Sequence, residues 1–258
     1  MSDTYTLSDF AVYVNDLTKL SSEENGDGNG LYDLSFSFKK KGIHCILAPR
    51  RSGKTRIMNI LCGCEAADSG EVCIFGADPY NNRKAKKKIG YLREDNTLYS
   101  NMTVFEIMDF VGGSRGVESG KLYRQIKEAL DLAGLEELKN KLVSKLTAYE
   151  RKKLSVAAAL LGNPDVLLLD EPITKHMGDD KREELEEIIK MLGRIKTVVI
   201  TTDDCSVARA LAEDVVIISD GRVLAKGSFE ELDRRLLDSE NPITLEELYN
   251  TLTSASAE

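Results

Sequence analysis

Residues 48–55 read APRRSGKT and lie between the apolar run of residues 43–47 and a helix-like segment, residues 57–61. The octet nearly matches the phosphate-loop pattern GxxxxGK(S/T), with Ala48 at the position of the first glycine. In that pattern a buried strand leads into a turn whose N–H groups surround phosphate, and the next helix directs its positive N-terminus at the same anion. The stretch predicts strand, phosphate loop and helix; a chance GKT in a strand-to-helix turn is the alternative.

The loop supplies most of the candidate binding residues. We expect Lys54 to reach the β and γ phosphates of a nucleotide and the Thr55 hydroxyl to hold Mg²⁺. The other candidates for nucleotide contact are Ala48, Pro49, Arg50, Arg51, Ser52, Gly53 and Arg56. Arg50 and Arg51 either add charge toward the phosphates or stay solvated, and solvation is the interpretation that we favour.

The composition is that of a globular chain. Its 258 residues, 42% of them apolar, are enough for one large α/β domain or two small ones. The 35 basic and 43 acidic residues give a net charge of −8, which disfavours nucleic acid and anionic lipid as partners. The dense basic run RKAKKK, residues 83–88, has no interleaved aromatic residues, so it is interpreted as a solvated helix face rather than a nucleic-acid site.

Cysteine usage and hydropathy further limit the kind of protein that this chain can be. Five cysteines are an odd number, which favours reduced, buried thiols over disulfides. Cys62 and Cys64 lack a second pair and nearby histidines, so no zinc site is expected. The first residues show no basic-then-apolar pattern and no apolar run approaches membrane-spanning length, so neither a secretory signal nor membrane insertion is expected.

Strand-like and helix-like segments alternate along most of the chain. The predicted strands are residues 10–14, 31–38, 43–47, 71–75, 89–92, 166–170, 197–201 and 215–219. Residues 43–47 are continuously apolar, as in a buried parallel strand. Residues 21–30, SSEENGDGNG, predict an exposed loop. The alternation indicates a mainly parallel sheet with right-handed crossovers.

A helical insertion interrupts this alternation. From residue 103 to about residue 142 the sequence has helical periodicity in three pieces, TVFEIMDFV, LYRQIKEALDLAGL and LEELKNKLVSKL. Another helix is predicted over residues 150–161, and residues 179–192 and 206–211 are helical between later strands. Two amphipathic pieces, EELDRRLL and TLEELYNTL, close the chain.

The second half of the candidate site is DVLLLDEP, residues 165–172. A buried strand that ends in Asp-Glu places both carboxylates at the carboxyl edge of the sheet, where the phosphate loop also emerges. Asp170 would hold Mg²⁺, usually through water, and Glu171 would act as general base on an attacking water. A helix N-cap is the alternative for two such acids. Together with GKT upstream, the acids predict nucleotide binding.

The order of motifs resembles the ATP-binding subunits of ABC transporters over nearly the whole chain, most of all the branch that works with ABC-2 export-type membrane subunits. The matching pieces are NDLTK, LYDLSFSFKKKG, SGEVCIFGADPY, IGYLRED, LYSNMTVFEIM, LLGNPDVLLLDEP, TVVITTDD, LAEDVVIISDGRVLAKGS and TLEELYNTLT. The resemblance implies an α/β fold: a P-loop NTPase core, an N-terminal antiparallel β-subdomain and an inserted α-helical subdomain. Residues 1–92 and 150–258 would form the core and 93–149 the helical subdomain of a single domain.

The resemblance also implies cofactors, partners and location. These would be ATP and Mg²⁺, a transmembrane permease subunit, and a second ABC subunit in a homo- or heterodimer with ATP between the two. The chain would be cytoplasmic and peripheral at the inner face of the cell membrane. Substrate and direction of transport are chosen by the membrane partner and are not predicted.

Several family motifs are altered here. The signature LSGGQ aligns with LTAYE, residues 146–150, where Thr147 keeps a hydroxyl but Ala148 and Tyr149 replace both glycines. Because the family uses this segment to cap the γ-phosphate of the opposite subunit, we expect poor capping. The Q-loop glutamine aligns with Glu94, which can still bind a metal or its water.

The largest change is at the switch histidine, which in the family contacts the γ-phosphate and the attacking water. It aligns here with Asp203, a further candidate for nucleotide contact. If the Asp203 carboxylate lies about 4 Å from a full negative charge of the γ-phosphate, the repulsion between them is roughly 4 kcal/mol at an effective dielectric constant of 20. Loss of one transition-state donor costs roughly 10²- to 10³-fold in rate. In the phosphate loop, Ala48 and Arg51 replace family glycines, at a cost on the order of 1 kcal/mol wherever φ must be positive.

Three further positions depart from the pattern. Met177 replaces the D-loop aspartate, and Leu20 or Ser21 stands where the family has an adenine-stacking tyrosine. Tyr13 could stack in its place, although packing within a strand is the interpretation that we favour. His176 as a relocated switch histidine is disfavoured.

These patterns predict an ABC-type ATPase in which Lys54 and Glu171 are catalytic and hydrolysis is slow or partner-dependent. The alternative is a pseudo-ATPase that holds ATP structurally in a heterodimer with an active ABC subunit. A soluble ABC protein of translation or DNA repair is disfavoured, because such proteins usually carry tandem domains or long insertions.

Overall fold

The computed structural model describes residues 9–21, 30–94, 98–237 and 243–255. The strands are β1 (Phe10–Lys19), β2 (Leu31–Lys39), β3 (Gly42–Leu47), β4 (Ser69–Ile74), β5 (Ile89–Leu92), β6 (Val166–Leu169), β7 (Thr197–Thr202), β8 (Asp214–Ser219) and β9 (Arg222–Ser228). The α-helices are α1 (Lys54–Leu61), α2 (Arg83–Lys87), α3 (Val104–Ser114), α4 (Ser119–Leu132), α5 (Ala148–Leu160), α6 (Asp179–Gly193), α7 (Cys205–Leu211), α8 (Phe229–Leu237) and α9 (Leu245–Ala255).

Two sheets organise these elements. The larger has the order β5-β6-β7-β3-β8-β9, in which all neighbours are parallel except β8 and β9. The smaller is antiparallel, with β1 between β2 and β4. The predicted fold, a mainly parallel α/β sheet with an antiparallel β-subdomain and helices, is confirmed.

The central strands are buried on both faces. All residues of β3 and β7 are buried, as are those of β6. Because side chains alternate along a strand, Cys45 and Val198 face one core, with α6 and α7. Ile46 and Val199 face the other core, which contains α1 and the small sheet. Parallel strands covered in this way need the continuous apolar runs that the sequence shows.

A third core belongs to the helical insertion. Ile107 of α3, Ile126 of α4 and Leu154 of α5 belong to one cluster of buried side chains. Helix α5 has faces in two clusters, because Val156 and Ala159 contact the core of the large sheet. The helix that begins at Ala148 therefore joins the insertion to the sheet.

Two predicted boundaries were wrong. The third helical piece, LEELKNKLVSKL, contains only 3₁₀ turns at Glu136–Leu138 and Val143–Lys145. Its backbone pairs with the start of α3 instead, through Val104 N–H to Lys141 O (3.0 Å) and Val143 N–H to Met102 O (2.9 Å). These bonds satisfy groups that a continuous helix would have used internally.

Strand β1 continues to Lys19, five residues past its predicted end. Asp16 has φ 49°, and the pairing with β2 shifts register between Val14 and Leu17. This bulge returns Leu17 to the core, fully buried, after two polar residues that broke the alternation in the sequence. The predicted loop of residues 21–30 lies mostly outside the described residues.

The five cysteines are free thiols, of which Cys45, Cys62, Cys73 and Cys205 are buried. Cys64 is exposed, so the prediction of buried thiols was wrong there; it lies in the turn that ends α1, where its N–H donates to Asn59 O. Among the described residues, no helix has both the length and the apolar character needed to cross a membrane.

Close contact between α5 and the edge strand β5 generates the first prediction. A Cβ on Gly90 would overlap the carbonyl oxygen of Ala159, whereas a Cβ on Gly113 in α3 would meet nothing within 4 Å. We expect Gly90→Ala to lower the free energy of unfolding by about 1–3 kcal/mol through overpacking. Gly113→Ala, the matched control, should raise it by about 0.5–1 kcal/mol through helix propensity.

Urea unfolding of the two variants beside the wild type measures both changes. Equal stability of Gly90→Ala and Gly113→Ala would contradict the close approach of α5 to β5.

Candidate functional site

A cavity of about 590 Å³ lies beside the phosphate loop, at the carboxyl edge of the large sheet. It is lined by Arg50, Arg51, Gly53, Lys54, Thr55, Arg56, Glu94 and Glu171. Eight of the residues predicted from the sequence are thus brought together around one space. Ala48, Pro49, Ser52, Asp170 and Asp203 do not line it.

The loop between β3 and α1 holds its shape through backbone contacts. The Ala48 N–H donates to Thr202 O at 3.1 Å, and Ser52 Oγ donates to Pro49 O at 2.6 Å. Gly53, with φ 90°, is the N-cap of α1. Arg51 also has positive φ, 62°, whereas Ala48 does not. The backbone cost of a lost glycine therefore falls on Arg51 alone.

Lys54 is the most connected residue of the loop. Its side chain is only 6% exposed, and Nζ donates to Ala48 O at 2.8 Å and to Pro49 O at 3.0 Å. Nζ also forms an ion pair with Glu171 Oε1 at 3.0 Å. The first residue of α1 and the second residue after β6 thus meet at the sheet edge, with a charge-assisted contact between them.

Asp170 has no exposed surface and precedes Glu171, which lines the cavity. Its Oδ1 accepts a hydrogen bond from Thr201 Oγ1 at 2.5 Å. Its Oδ2 has no hydrogen-bond partner in the described part of the chain. Burial raises the pKa of the Asp170 carboxyl above its ordinary value; nearby Glu171 adds to the rise, while the Thr201 and Thr55 hydroxyls oppose it. Burying a carboxylate oxygen without a hydrogen bond is unfavourable, so Oδ2 is available to a cation or a donor.

Glu171 is held by its backbone. It has φ 45°, its N–H donates to Thr201 Oγ1 at 3.0 Å, and its carbonyl oxygen accepts from Lys152 Nζ at 3.0 Å. The next helix, α6, begins at Asp179 with Gly178 as its N-cap, so neither Asp170 nor Glu171 caps it. Fixed main-chain contacts therefore position the Glu171 side chain toward the cavity.

Glu94 adds a third carboxylate to the site. Burial raises the pKa of the Glu94 carboxyl, and the negative charges of Glu171 and Asp170 raise it further. The positive charges of Lys54 and Lys152 oppose this rise. Three acids thus share a small volume with two cations.

Oxygen ligands suit Mg²⁺, which usually keeps several waters and takes one or two protein carboxylates. The unpartnered Asp170 Oδ2, with Thr55 nearby and Glu94 on the cavity wall, fits such an ion. The chemistry of the donors therefore matches the metal expected from the sequence.

Asp203, at the switch-histidine position, forms two ion pairs. Its carboxylate pairs with Arg50 Nε at 3.4 Å and with Lys175 Nζ at 3.5 Å. The Tyr249 hydroxyl donates to the Asp203 carbonyl oxygen at 3.1 Å. Arg50 was expected to be solvated; its side chain is 76% exposed but also contacts this acid. Two cations thus offset the negative charge of Asp203.

The altered signature segment forms the start of α5. Thr147 and Glu150 form a capping box there. Tyr149 points to α6: its hydroxyl donates to Glu184 Oε2 at 2.6 Å, and the ammonium groups of Lys153 and Lys181 lie over its ring at 5.3 and 5.7 Å. The ring is held by contacts within this chain.

Tyr13, considered as a replacement for the missing adenine-stacking tyrosine, packs within a strand, which is the interpretation that we favoured. Tyr13 lies within β1, 6.2 Å from the Phe10 ring centroid, and does not line the cavity. Leu20 is 59% exposed, and its carbonyl oxygen accepts from Arg56 Nη1 at 3.5 Å.

The sequence did not single out three residues that shape the site. Thr201 bonds to both acids of the DE pair, Lys152 to the Glu171 carbonyl, and Lys175 to Asp203. Thr201 lies in TVVITTDD, quoted above, and Lys175 directly precedes His176, so proximity in sequence to Asp203 and to Glu171 was an available signal. Lys152, in the exposed-looking run ERKK, gave none.

A family model described as "ABC transporter" matches residues 31–174, which is more than half of the chain. The chain belongs to the ABC transporter family. The matched region includes the phosphate loop, the signature segment and both Asp170 and Glu171.

Curated relatives include both importers and an exporter. The sulfate/thiosulfate import ATP-binding protein CysA 2 of Chromobacterium violaceum is 30% identical over 81% of this chain and 57% of its own length. The Nod factor export ATP-binding protein I of Burkholderia lata is 29% identical over 87% of this chain and 73% of its own length. The chain thus spans little more than half of the first of these relatives.

Solved structures share the fold at lower identity. An ATP-binding subunit of an ABC transporter superposes with a TM-score of 0.80 at 20% identity, over 94% of this chain and 99% of its own. An ATP-binding cassette bound to ADP and phosphate, in a dimeric post-hydrolysis state, gives 0.73 at 24% identity, over 84% and 98%.

Because Arg51 has a positive φ, we predict that two variants at this position differ in stability. Arg51→Gly relieves the left-handed backbone, whereas Arg51→Ala removes the same charge but keeps a Cβ. We expect the glycine variant to be more stable than the alanine variant by about 1 kcal/mol in urea unfolding. Ordinarily alanine is the more stable of the two, so that order here would contradict the loop geometry.

Proposed function

We propose that this chain is the ATP-binding subunit of an ABC transporter: it binds Mg-ATP in the cavity beside the phosphate loop and hydrolyses it slowly or only with a partner. The observation that carries the proposal is the ion pair of Lys54 with Glu171 at 3.0 Å, beside the buried Asp170, whose carboxyl group both charges influence. The residues that we propose as phosphate-binding lysine, metal-binding acid and general base are thereby close together at one edge of the sheet.

Nucleotide binding would exchange the partners of Lys54. Its ammonium now bonds to the carbonyls of Ala48 and Pro49 and to Glu171. Phosphate oxygens would replace these acceptors, and the loop N–H groups with the N-terminus of α1 would add further donors. Arg50, Arg51 and Arg56 on the cavity wall supply positive potential for the same anion.

Thr55 and Asp170 would hold Mg²⁺, with Glu94 acting on the ion or its water. The bound ion would neutralise charge on the phosphates during transfer. Asp170 gains most from it, because a cation stabilises the ionised form of a carboxyl whose pKa burial has raised. The two threonine hydroxyls orient the carboxylate before the ion arrives.

Glu171 would accept the proton of the attacking water. Its backbone is fixed by Thr201 and Lys152, so only its side chain has to leave Lys54. Once Lys54 turns to phosphate, the carboxylate is released as an acceptor for water. The same exchange therefore loads the nucleotide and frees the base.

Slow hydrolysis follows from Asp203. Its carboxylate is an acceptor where the family uses a donor, and loss of one donor costs roughly 10²- to 10³-fold. The pairing of Asp203 with Arg50 and Lys175 reduces its repulsion toward phosphate. ATP can then bind next to this acid even though hydrolysis is slowed.

Dependence on a partner follows from the signature segment. Tyr149 occupies a glycine position, and its contacts with Glu184 and two lysines hold it against α6. A second subunit with an intact signature would cap this chain's ATP, which favours a heterodimer. We further propose a permease partner, a peripheral position at the cytoplasmic face of the membrane, and membership of the export-type branch, for which the Nod factor export relative is the support.

ATP turnover of the purified chain tests the catalytic part. We expect slow wild-type turnover, no detectable turnover for Glu171→Gln, and a rise of at least about tenfold for Asp203→His, which restores a donor. Asp131→His, on the exposed end of α4, is the matched control and should match the wild type.

Two results would contradict this assignment. Equal, undetectable rates for wild type, Glu171→Gln and Asp203→His would leave an ATP-binding subunit without hydrolysis. An equal rise in Asp131→His would show that added histidine, rather than its position, changed the rate.

A further inference from the structure

A second cavity, of about 540 Å³, lies at the opposite edge of the large sheet. It is lined by Arg83, Lys86 and Lys87 of α2, by Ser114, Arg115, Gly116, Val117 and Glu118 between α3 and α4, by Lys121 and Gln125 of α4, and by Gly162. It shares no lining residue with the nucleotide cavity. Arg115 bonds to Ile89 O at the start of β5, whereas the phosphate loop follows the end of β3.

This basic cavity is strongly positive in an acidic chain. Five lining residues are cationic and one, Glu118, is acidic; Glu118 pairs with Lys121 at 2.8 Å. The other four cations form no ion pair with a carboxylate in the described segments: Arg83, Lys86, Lys87 and Arg115. With a net charge of −8, the chain has acids in excess, yet no described acid forms an ion pair with these four.

Arg115 is the best-fixed of the cations. Its Nη2 donates to Ile89 O, and burial lowers the pKa of its guanidinium. A Cβ on Gly162 would lie 3.3 Å from Arg115 Nε, so the absence of a side chain there leaves room for the guanidinium. An arginine that is partly desolvated without a counterion favours a bound anion.

The start of α4 adds backbone donors to the same wall. Its N-cap, Glu118, makes no side-chain hydrogen bond to the first turn. Lys121 and Leu122 donate to the Glu118 carbonyl, so the first N–H groups of the helix remain open to an acceptor. Their partial positive charge adds to that of the side chains.

We propose that this basic cavity binds a small polyphosphorylated anion. The cations come from three places: α2, the turn between α3 and α4, and α4 itself. They therefore surround one volume rather than lie along one solvated face. Lys86 lies over the Tyr80 ring and Arg115 donates to Ile89 O, but neither contact neutralises charge. Four cations without carboxylate partners repel one another, and an anion with several charges relieves that repulsion. The volume falls in the usual range for small-molecule sites, roughly 300–1,000 Å³.

The site modifies the interpretation of RKAKKK as a purely solvated run. Arg83, Lys86 and Lys87 line the cavity, whereas Lys84 of the same helix does not. A nucleic acid fits less well, because the cations surround a cavity instead of following an extended groove with stacking residues. The proposal is independent of ATP binding at the phosphate loop.

Pyrophosphate titrated into the ¹⁵N-labelled chain tests the site by NMR. The amides of Gly116 and Gly162 report on this cavity, and that of Gly53 reports separately on the phosphate loop. We expect saturable shifts at Gly116 and Gly162. The double variant Arg83→Glu/Lys87→Glu should weaken this binding at least about tenfold.

Lys84→Glu is the matched control, since it changes the charge of the same helix outside the cavity. It should leave the apparent affinity within about twofold, and urea unfolding of all variants checks that they are folded. Shifts confined to Gly53 would overturn the proposal, as would an equal loss of binding in Lys84→Glu.

Sedimentation with phosphatidylglycerol vesicles separates a lipid headgroup from a soluble anion. We expect no vesicle binding that depends on Arg83 and Lys87. If the double variant loses vesicle binding while pyrophosphate leaves Gly116 and Gly162 unshifted, the ligand is a lipid headgroup and the proposal of a soluble polyphosphate is wrong.

Discussion

The ion pair between Lys54 and Glu171 is the contact on which the site depends. Its side chains are 6% and 18% exposed, and charges so far from water need partners. The left-handed turn at Gly53 places Lys54 where it reaches both loop carbonyls and the carboxylate. Thr201 and Lys152 fix the backbone of Glu171 from the other side. Strands β3 and β6 both run parallel to β7, so the loops that carry Lys54 and Glu171 emerge at the same edge of the sheet. The sheet topology therefore makes the ion pair possible.

Much of the fold could be predicted because its signals are local. Continuous apolar runs marked β3, β6 and β7, and the strand-loop-helix order around APRRSGKT fixed the position of the phosphate loop. The bulge at Asp16 and the 3₁₀ turns near Leu138 could not be predicted in this way. Both depend on backbone pairing with distant residues, with β2 in one case and with the start of α3 in the other.

The site shows the same division. Motif spacing predicted that Lys54, Asp170 and Glu171 lie close together, since each follows a recognisable strand. The pairing of Asp203 with Arg50 and Lys175 was not foreseen, because ion pairs between separate loops leave no pattern in sequence. These two cations change the interpretation of the lost histidine: the position loses a donor, but ion pairs with Arg50 and Lys175 partly offset the negative charge of Asp203.

The central claim is that Lys54 exchanges Glu171 for the phosphates of ATP, and equilibrium binding of Mg-ATP tests it most directly. Lys54→Met should weaken binding by about 10- to 100-fold, the value of one charge-assisted contact. Glu171→Gln should bind at least as tightly as the wild type, because it removes a competitor for the ammonium. Wild-type affinity in Lys54→Met, or a loss in Glu171→Gln as large as that in Lys54→Met, would contradict the account.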